Sequence, residues 1–211
     1  MDAPTDEQLL VQHFAGDISG FPTLVERYYR ELFRFVLRFT NSSAAAEDVV
    51  QDTFLQVHLS GHTFDPSRRF KPWLFTVAAN KARDWHRSRI RRHEVPLDAK
   101  IGGQAEGDES FAQLLADEPD PQGQALDAED RRLVVQTVIH QMPDHLREVL
   151  VLGYFHRFPY KEMAEILEIP LGTVKSRLHA AVAHFAKRYK AVAGSANEPD
   201  QAVEGQIRQE G

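Results

Sequence analysis

Apolar residues in this chain recur at three- and four-residue intervals, and no segment alternates over the length of a strand, so the spacing confines the fold to helices. Asp6 to Phe14 reads as a short helix ending near Gly16. Phe21 to Phe39 follows, with Leu24, Tyr28, Leu32, Phe35, Val36 and Phe39 on one side. Ser42 or Ser43 can cap a third helix whose inward stripe is Val50, Phe54 and Val57, with Asp48 and Asp52 opposite and Glu47 and Gln51 on a flank. Gly61 ends that helix. After a loop, Pro72 to about Arg91 is predicted as a long helix with proline in its first turn, and Trp73 and Phe75 read as core.

The second half repeats the pattern. Leu126 to Gln141 is helical, Pro143 breaks it, and Leu146, Val149 and Leu150 point inward on a helix that stops near Gly153. Tyr160 to Leu167, a turn through Glu168, Ile169 and Pro170, and a last helix from Leu171 to about Lys190 form a helix-turn-helix pattern. In that last helix Val174, Leu178, Ala181 and Phe185 share the buried face. Ser176, His179, Ala180 and Ala183 lie opposite, flanked by Thr173 and Lys175. Short polar and cationic side chains near the start of an exposed helix are what reading base edges in a major groove requires.

Charge is segregated along the chain. Residues 65–92 hold nine Lys and Arg against Asp65 and Asp84, residues 93–130 are acidic but for Lys100, and the segment past His156 is basic again. Two basic blocks either side of an acidic one suggest two polyanion-binding surfaces, although the net charge is −6. Arg69, Lys81, Arg83, Arg87 and Arg91 are the candidate phosphate contacts of the first block, interleaved with aromatic rings suited to capturing unstacked bases. Ile101 to Gly123, rich in acid, glycine and proline, has the composition of a flexible linker, in which Phe111, Leu114 and Leu115 could dock. The domains expected are therefore 1–95, an acidic linker 96–125, 126–190, and a polar tail 191–211. With no cysteine there is no disulfide framework or thiolate metal site. The start of the chain does not read as a secretory signal, and no apolar run is long enough to span a bilayer, which makes a cytoplasmic protein the expectation.

Three motifs carry a family resemblance. Ala46-Glu47-Asp48-Val49-Val50-Gln51-Asp52-Thr53-Phe54 resembles the AEDxxQxxF segment of bacterial sigma factors of the sigma-70 family. Residues 72–80, Pro-Trp-Leu-Phe-Thr-Val-Ala-Ala-Asn, with Asp84 and Arg87, resemble the stretch that follows it there. Residues 169–178 resemble the GTVKSRL signature of the family's last helix. Order and spacing match over most of residues 5–190, and the small size resembles the extracytoplasmic-function (ECF) group, which keeps regions 2 and 4 alone.

The resemblance implies a transcription initiation factor without enzymatic activity or cofactor. Glu47, Asp48, Gln51 and Asp52 would meet the polymerase clamp, and the second half would meet the flap. Asn80 and Asp84 would join Arg69, Lys81, Arg83, Arg87 and Arg91 at the −10 element. Thr173, Lys175, Ser176, Arg177 and His179 would read the −35 element. An anti-sigma factor is a possible partner. Past the signature, Ala180, Ala181 and Val182 stand where relatives often carry arginine, which shifts −35 readout toward Lys175, Ser176 and DNA shape. Two other readings are weaker. An autonomous helix-turn-helix repressor would leave the Glu47–Asp52 face without a role, and a metal site of Asp48, Asp52, His58 and His62 is interrupted by Gly61 and completes no ligand set.

Overall fold

The computed structural model describes residues 3–93 and 125–196, and every regular element among them is helical. The first half holds α1 (Asp6–Phe14), α2 (Gly20–Thr40), α3 (Ser43–Ser60), a 3₁₀ turn at Gly61–Thr63 and α4 (Phe70–His93). The second holds α5 (Ala125–His140), α6 (Asp144–Leu150), a π-helical turn at Val151–Phe155, α7 (Tyr160–Leu167) and α8 (Leu171–Ala196).

Local chemistry sets the ends of these helices. Thr5 and Gln8 form a capping box, with Gln8 N–H donating to Thr5 Oγ1 at 3.3 Å and Thr5 N–H donating to Gln8 Oε1 at 2.9 Å. Of the two serines that could cap α3, Ser42 does so, its Oγ accepting from Ala45 N–H at 3.3 Å. Helix α2 ends on Asn41 in the left-handed region, a conformation asparagine tolerates well. At its other end, α2 passes so close to α1 that a Cβ on Gly20 would lie 2.5 Å from the Leu9 carbonyl oxygen, so only glycine fits.

Helix α4 begins two residues before the expected Pro72. Glu7 of α1 supplies the reason, since its Oε1 accepts from Phe70 N–H at 2.8 Å and satisfies a first-turn donor. Pro72 then sits where the helix needs no intrahelical N–H bond. The other departure is at Gly153, which the sequence marks as a helix end. The chain instead continues through the π turn, closed by His156 N–H to Val151 O at 3.2 Å. Burial that already covers residues 146–150 of α6 thereby continues through Val151 and Leu152 of the turn. Helix α8 runs to Ala196, past the expected end near Lys190, so the boundary expected there falls inside a helix.

Helix α2 packs on α1, α3 and α4, while α8 packs on α5, α6 and α7. The two halves also meet, α4 against α7 and α2 against α5, and their buried side chains form one continuous cluster. Phe35, Phe70 and Phe75 are fully buried in it. Trp73 is only half-buried, its ring 5.0 Å from Phe64 and 5.9 Å from Phe70. In α8, Val174 and Ala181 are fully buried, whereas Leu178 and Phe185 are partly exposed because this helix lies at the outer edge of its bundle. The linker, its Phe111, Leu114 and Leu115, and the end of the tail lie outside the described residues.

Candidate nucleic-acid and polymerase interfaces

On α3 the buried residues Val49, Val50, Thr53, Phe54 and Val57 turn toward α2 and α4. Glu47, Asp48, Gln51 and Asp52 are all exposed as a consequence. The same face continues into Leu55 and Leu59, 55% and 62% exposed, at i+3 and i+7 from Asp52. Sequence reasoning missed these leucines. Their signal was their position off the inward stripe, where a large apolar side chain has no core to enter. An acidic head with an apolar foot suits a protein surface better than a polyanion. His58 does not join Asp48 and Asp52. Its Nδ1 lies 3.1 Å from His13 Nε2, within a cluster of His13, Phe14 and Phe21 rings, and among the described residues no three His, Asp or Glu side chains gather into a metal-sized group.

The helix-turn-helix is built as the sequence reads. Glu168 takes the turn at φ 55°, Ile169 N–H closes on Ala164 O at 3.1 Å, and Thr173 N–H returns to Pro170 O at 2.8 Å. Burial of Val174 and Ala181 then turns Lys175, Ser176 and His179 to solvent, with Thr173 and Arg177 half-buried beside them. Ser176 Oγ donates to Thr173 O at 3.1 Å, so its hydroxyl oxygen keeps its acceptor capacity.

The basic block on α4 is placed differently from the exposed face of α8. Asn80, Asp84 and Arg87 are exposed and Lys81 half-buried, with Arg87 paired to Asp84. Arg83 is engaged from the other half of the chain. Its Nε donates to Glu148 Oε1 at 2.6 Å and its Nη2 to Glu148 Oε2 at 3.3 Å, while Nη1 donates to Asn80 Oδ1 at 2.8 Å. Arg69 pairs with Glu162, and Arg68 Nη2 donates to Glu165 Oε2 at 3.2 Å. The Arg91 side chain lies outside the described residues. Nothing in the sequence paired these cations with carboxylates roughly 65 to 97 positions away.

Behind the ion pairs the contact is apolar and tightly bonded. Phe75 of α4 meets Phe158 edge to face at 4.9 Å, and the His156 imidazole, 4% exposed, packs between Phe35 and Phe75. Burial depresses the His156 pKa, against the pull of Glu31, whose Oε1 lies 3.4 Å from Nδ1. Burial pushes Glu31 up, but the bonds from His156 and Lys71 outweigh it and hold the carboxyl low. Arg147, 7% exposed, donates to the carbonyls of Ile139, His140 and Met142 and, across the halves, of Phe39.

Comparison with known proteins agrees with this architecture. Residues 24–92 match the family described as Sigma-70 region 2, and residues 132–185 match Sigma-70, region 4. The ECF RNA polymerase sigma factor SigW of Bacillus subtilis is 32% identical over 164 residues, covering 78% of this chain and 86% of that protein. The RNA polymerase sigma-H factor of Pseudomonas aeruginosa is 32% identical over 178 residues, 83% of this chain and 89% of that one. The solved structure of CnrH in complex with the cytosolic domain of CnrY shares the fold at a TM-score of 0.62 and 23% identity, over 92% of this chain and 99% of that one. The sigma factor RpoE of Bartonella quintana, solved with the anti-sigma factor NepR, does so at 0.59 and 22%, over 81% and 96%. The chain belongs to the ECF sigma factors of the sigma-70 family. It is a transcription initiation factor that binds core RNA polymerase and directs it to promoters through −10 and −35 recognition.

Proposed function

We propose that the division of labour runs by surface. Exposed Glu47, Asp48, Gln51 and Asp52 on α3, extended by Leu55 and Leu59, dock on the polymerase clamp. Arg69, Asn80, Lys81, Arg83, Asp84, Arg87 and Arg91 serve the −10 element. Thr173, Lys175, Ser176, Arg177 and His179 read the −35 element, with residues 126–190 also meeting the flap. The observation that carries the reading is the exposed Lys175–Ser176–His179 face at the head of a helix-turn-helix, oriented by the buried Val174 and Ala181.

The chain acts in the cytoplasm by binding, with no catalysis of its own. Its regulator is an anti-sigma factor, the class of partner with which the Bartonella quintana fold relative was solved. Transcription of fragmented genomic DNA in vitro, with core polymerase and with or without the chain, tests the reading. New transcripts whose starts share two upstream sequence blocks are expected. Absence of any chain-dependent start would refute it.

A further inference from the structure

We infer that His13 and His58 form a binding site for a divalent first-row transition metal, of the zinc, nickel or copper class, which clips the end of α1 to the end of α3. The site does not depend on how polymerase and DNA share the surfaces described above.

Two imidazoles meet where two helices stop. His13 lies in the last turn of α1 and His58 in the last turn of α3. His13 Nε2 is 3.1 Å from His58 Nδ1, with the ring centroids 5.2 Å apart and the planes tilted by 46°. Two nitrogens bound to one zinc at about 2.0–2.1 Å lie about 2.9 Å apart at a right angle and about 3.3 Å apart at the tetrahedral angle. The observed separation falls between these. An ion therefore requires no movement of either helix, only a turn of the exposed His58 ring until both lone pairs converge.

Packing holds the His13 ring ready. Phe21 stacks on it at 5.0 Å and Phe14 meets it edge-on at 5.0 Å. Its Nδ1 is buried without a partner, so Nε2 is the nitrogen the ring offers outward. The close approach of the two helix ends depends on Gly61, where a Cβ would lie 2.7 Å from the Phe14 ring. Burial, and after it the His58 charge, depresses the His13 pKa, so near neutral pH its lone pair is not taken by a proton.

The charge of an ion is matched as well. The last carbonyls of a helix carry the negative end of its dipole, and here two such ends converge. A doubly protonated pair would feel the same field, but two imidazolium rings at this distance repel. One dication shared between two neutral rings takes the favourable field without that repulsion.

The ligand atoms select the ion. Imidazole nitrogen suits zinc, nickel and copper, whereas magnesium and calcium take oxygen. Two protein ligands leave the remaining positions to water, which makes an exchangeable clip and not a closed structural site. The pair is distinct from the set Asp48, Asp52, His58 and His62, because His58 turns toward α1 and away from the acidic residues.

The test uses the full chain without an affinity tag, with zinc chloride alone as the probe. Wild type is expected to bind one zinc equivalent ahead of any weaker uptake by other histidines. It should melt about 5 °C higher once zinc exceeds its dissociation constant about a hundredfold. His13→Gln and His58→Gln should each weaken that equivalent by at least the roughly tenfold that even an outer-shell partner is worth. His62→Gln, whose ring stands against Phe14 at 6.0 Å, should leave it unchanged. If either variant fails to fold, imidazole nitrogen spectra of the wild type decide, with His13 Nε2 and His58 Nδ1 shifting before any other ring. A zinc equivalent that survives both variants overturns the site. So does a wild-type melting temperature that does not move with zinc, or a spectrum in which other histidines respond first.

Discussion

Arg147 Nη1 donates to the main-chain carbonyl of Phe39 at 3.2 Å, a bond spanning 108 residues that ties the middle of α6 to the end of α2. The same guanidinium also donates to the carbonyls of Ile139 and His140 at the end of α5 and of Met142 in the turn after it, helping to satisfy helix-end acceptors. Removing it strands those acceptors in a nearly dry site, so Arg147→Ala should cost about 3–5 kcal/mol. Thermal unfolding should shift down by roughly 10 °C, at about 2–4 °C per kcal/mol for a chain of this size. Arg147→Lys should fail to rescue it, because an ammonium cannot reproduce the planar fork. A melting temperature within about 2 °C of wild type for Arg147→Ala would contradict this role.

The α3 face should separate binding from stability. Asp48 and Gln51 are exposed and turned away from Val50, Phe54 and Val57. Asp48→Arg with Gln51→Ala should weaken core-polymerase binding by at least about tenfold, while stability moves by less than about 0.5 kcal/mol. Leu59→Ser should weaken binding in the same direction. Titration of labelled chain with core enzyme, alongside a melt, checks both halves of the statement, and undiminished affinity would remove α3 from the interface.

Two lysines on α8 should behave differently toward DNA. Lys175 lies in the first turns of the helix and Lys187 about three turns later, both exposed. Lys175→Ala should relax base preference in the −35 block at a cost of roughly 1–3 kcal/mol. Lys187→Ala should weaken all sequences about equally and flatten the salt dependence. Selection of a randomised −35 library with each variant decides. An unaltered selected sequence with Lys175→Ala would make Lys175 a phosphate contact.

Acid should loosen the fold through buried imidazoles. Burial, reinforced by the Arg147 charge, holds the His140 pKa at about 4, against about 6.5 for a solvated histidine. Between those values the unfolded chain binds the extra proton and the folded one does not, so stability is full above pH 6.5 and falls as pH drops toward 4. The loss attributable to His140 is as much as about 3 kcal/mol. His156, depressed by the same cause, acts in the same direction. Denaturant unfolding at a series of pH values should show this acid limb, and His140→Gln should flatten it. A limb of the same depth in the variant would assign it elsewhere.

The tight turn between α7 and α8 stores a small amount of strain. Glu168 sits at φ 55°, where an L side chain crowds the following carbonyl by about 1–2 kcal/mol. Glu168→Gly should raise stability by roughly 1 kcal/mol and Glu168→Val lower it, with −35 binding unchanged, as measured by melts and duplex titration. A stability loss on Glu168→Gly would show that the side chain contributes something the backbone argument omits.

Helix positions and the outward orientation of the α3 and α8 faces are legible in the sequence for one reason. Each depends on residues within one or two turns, such as Val174 and Ala181 setting the direction of Ser176, or Ser42 starting α3. The early start of α4 was not legible, because the group that satisfies Phe70 N–H is Glu7 on another helix. Nor was the run past Gly153, where the chain closes a π turn through His156 N–H and Val151 O while Val151 and Leu152 stay buried.

Periodicity alone thus determined an all-helical fold, and the three motifs, with charge order, determined its family, while the inward stripes determined which sides of α3 and α8 face solvent. Only the tertiary structure decided that the halves close on each other and which carboxylate faces which arginine. Apolar spacing reports the face a helix buries, whereas pairing Arg83 with Glu148 requires two helices distant in sequence to be brought within about 3 Å, and no local pattern encodes that meeting.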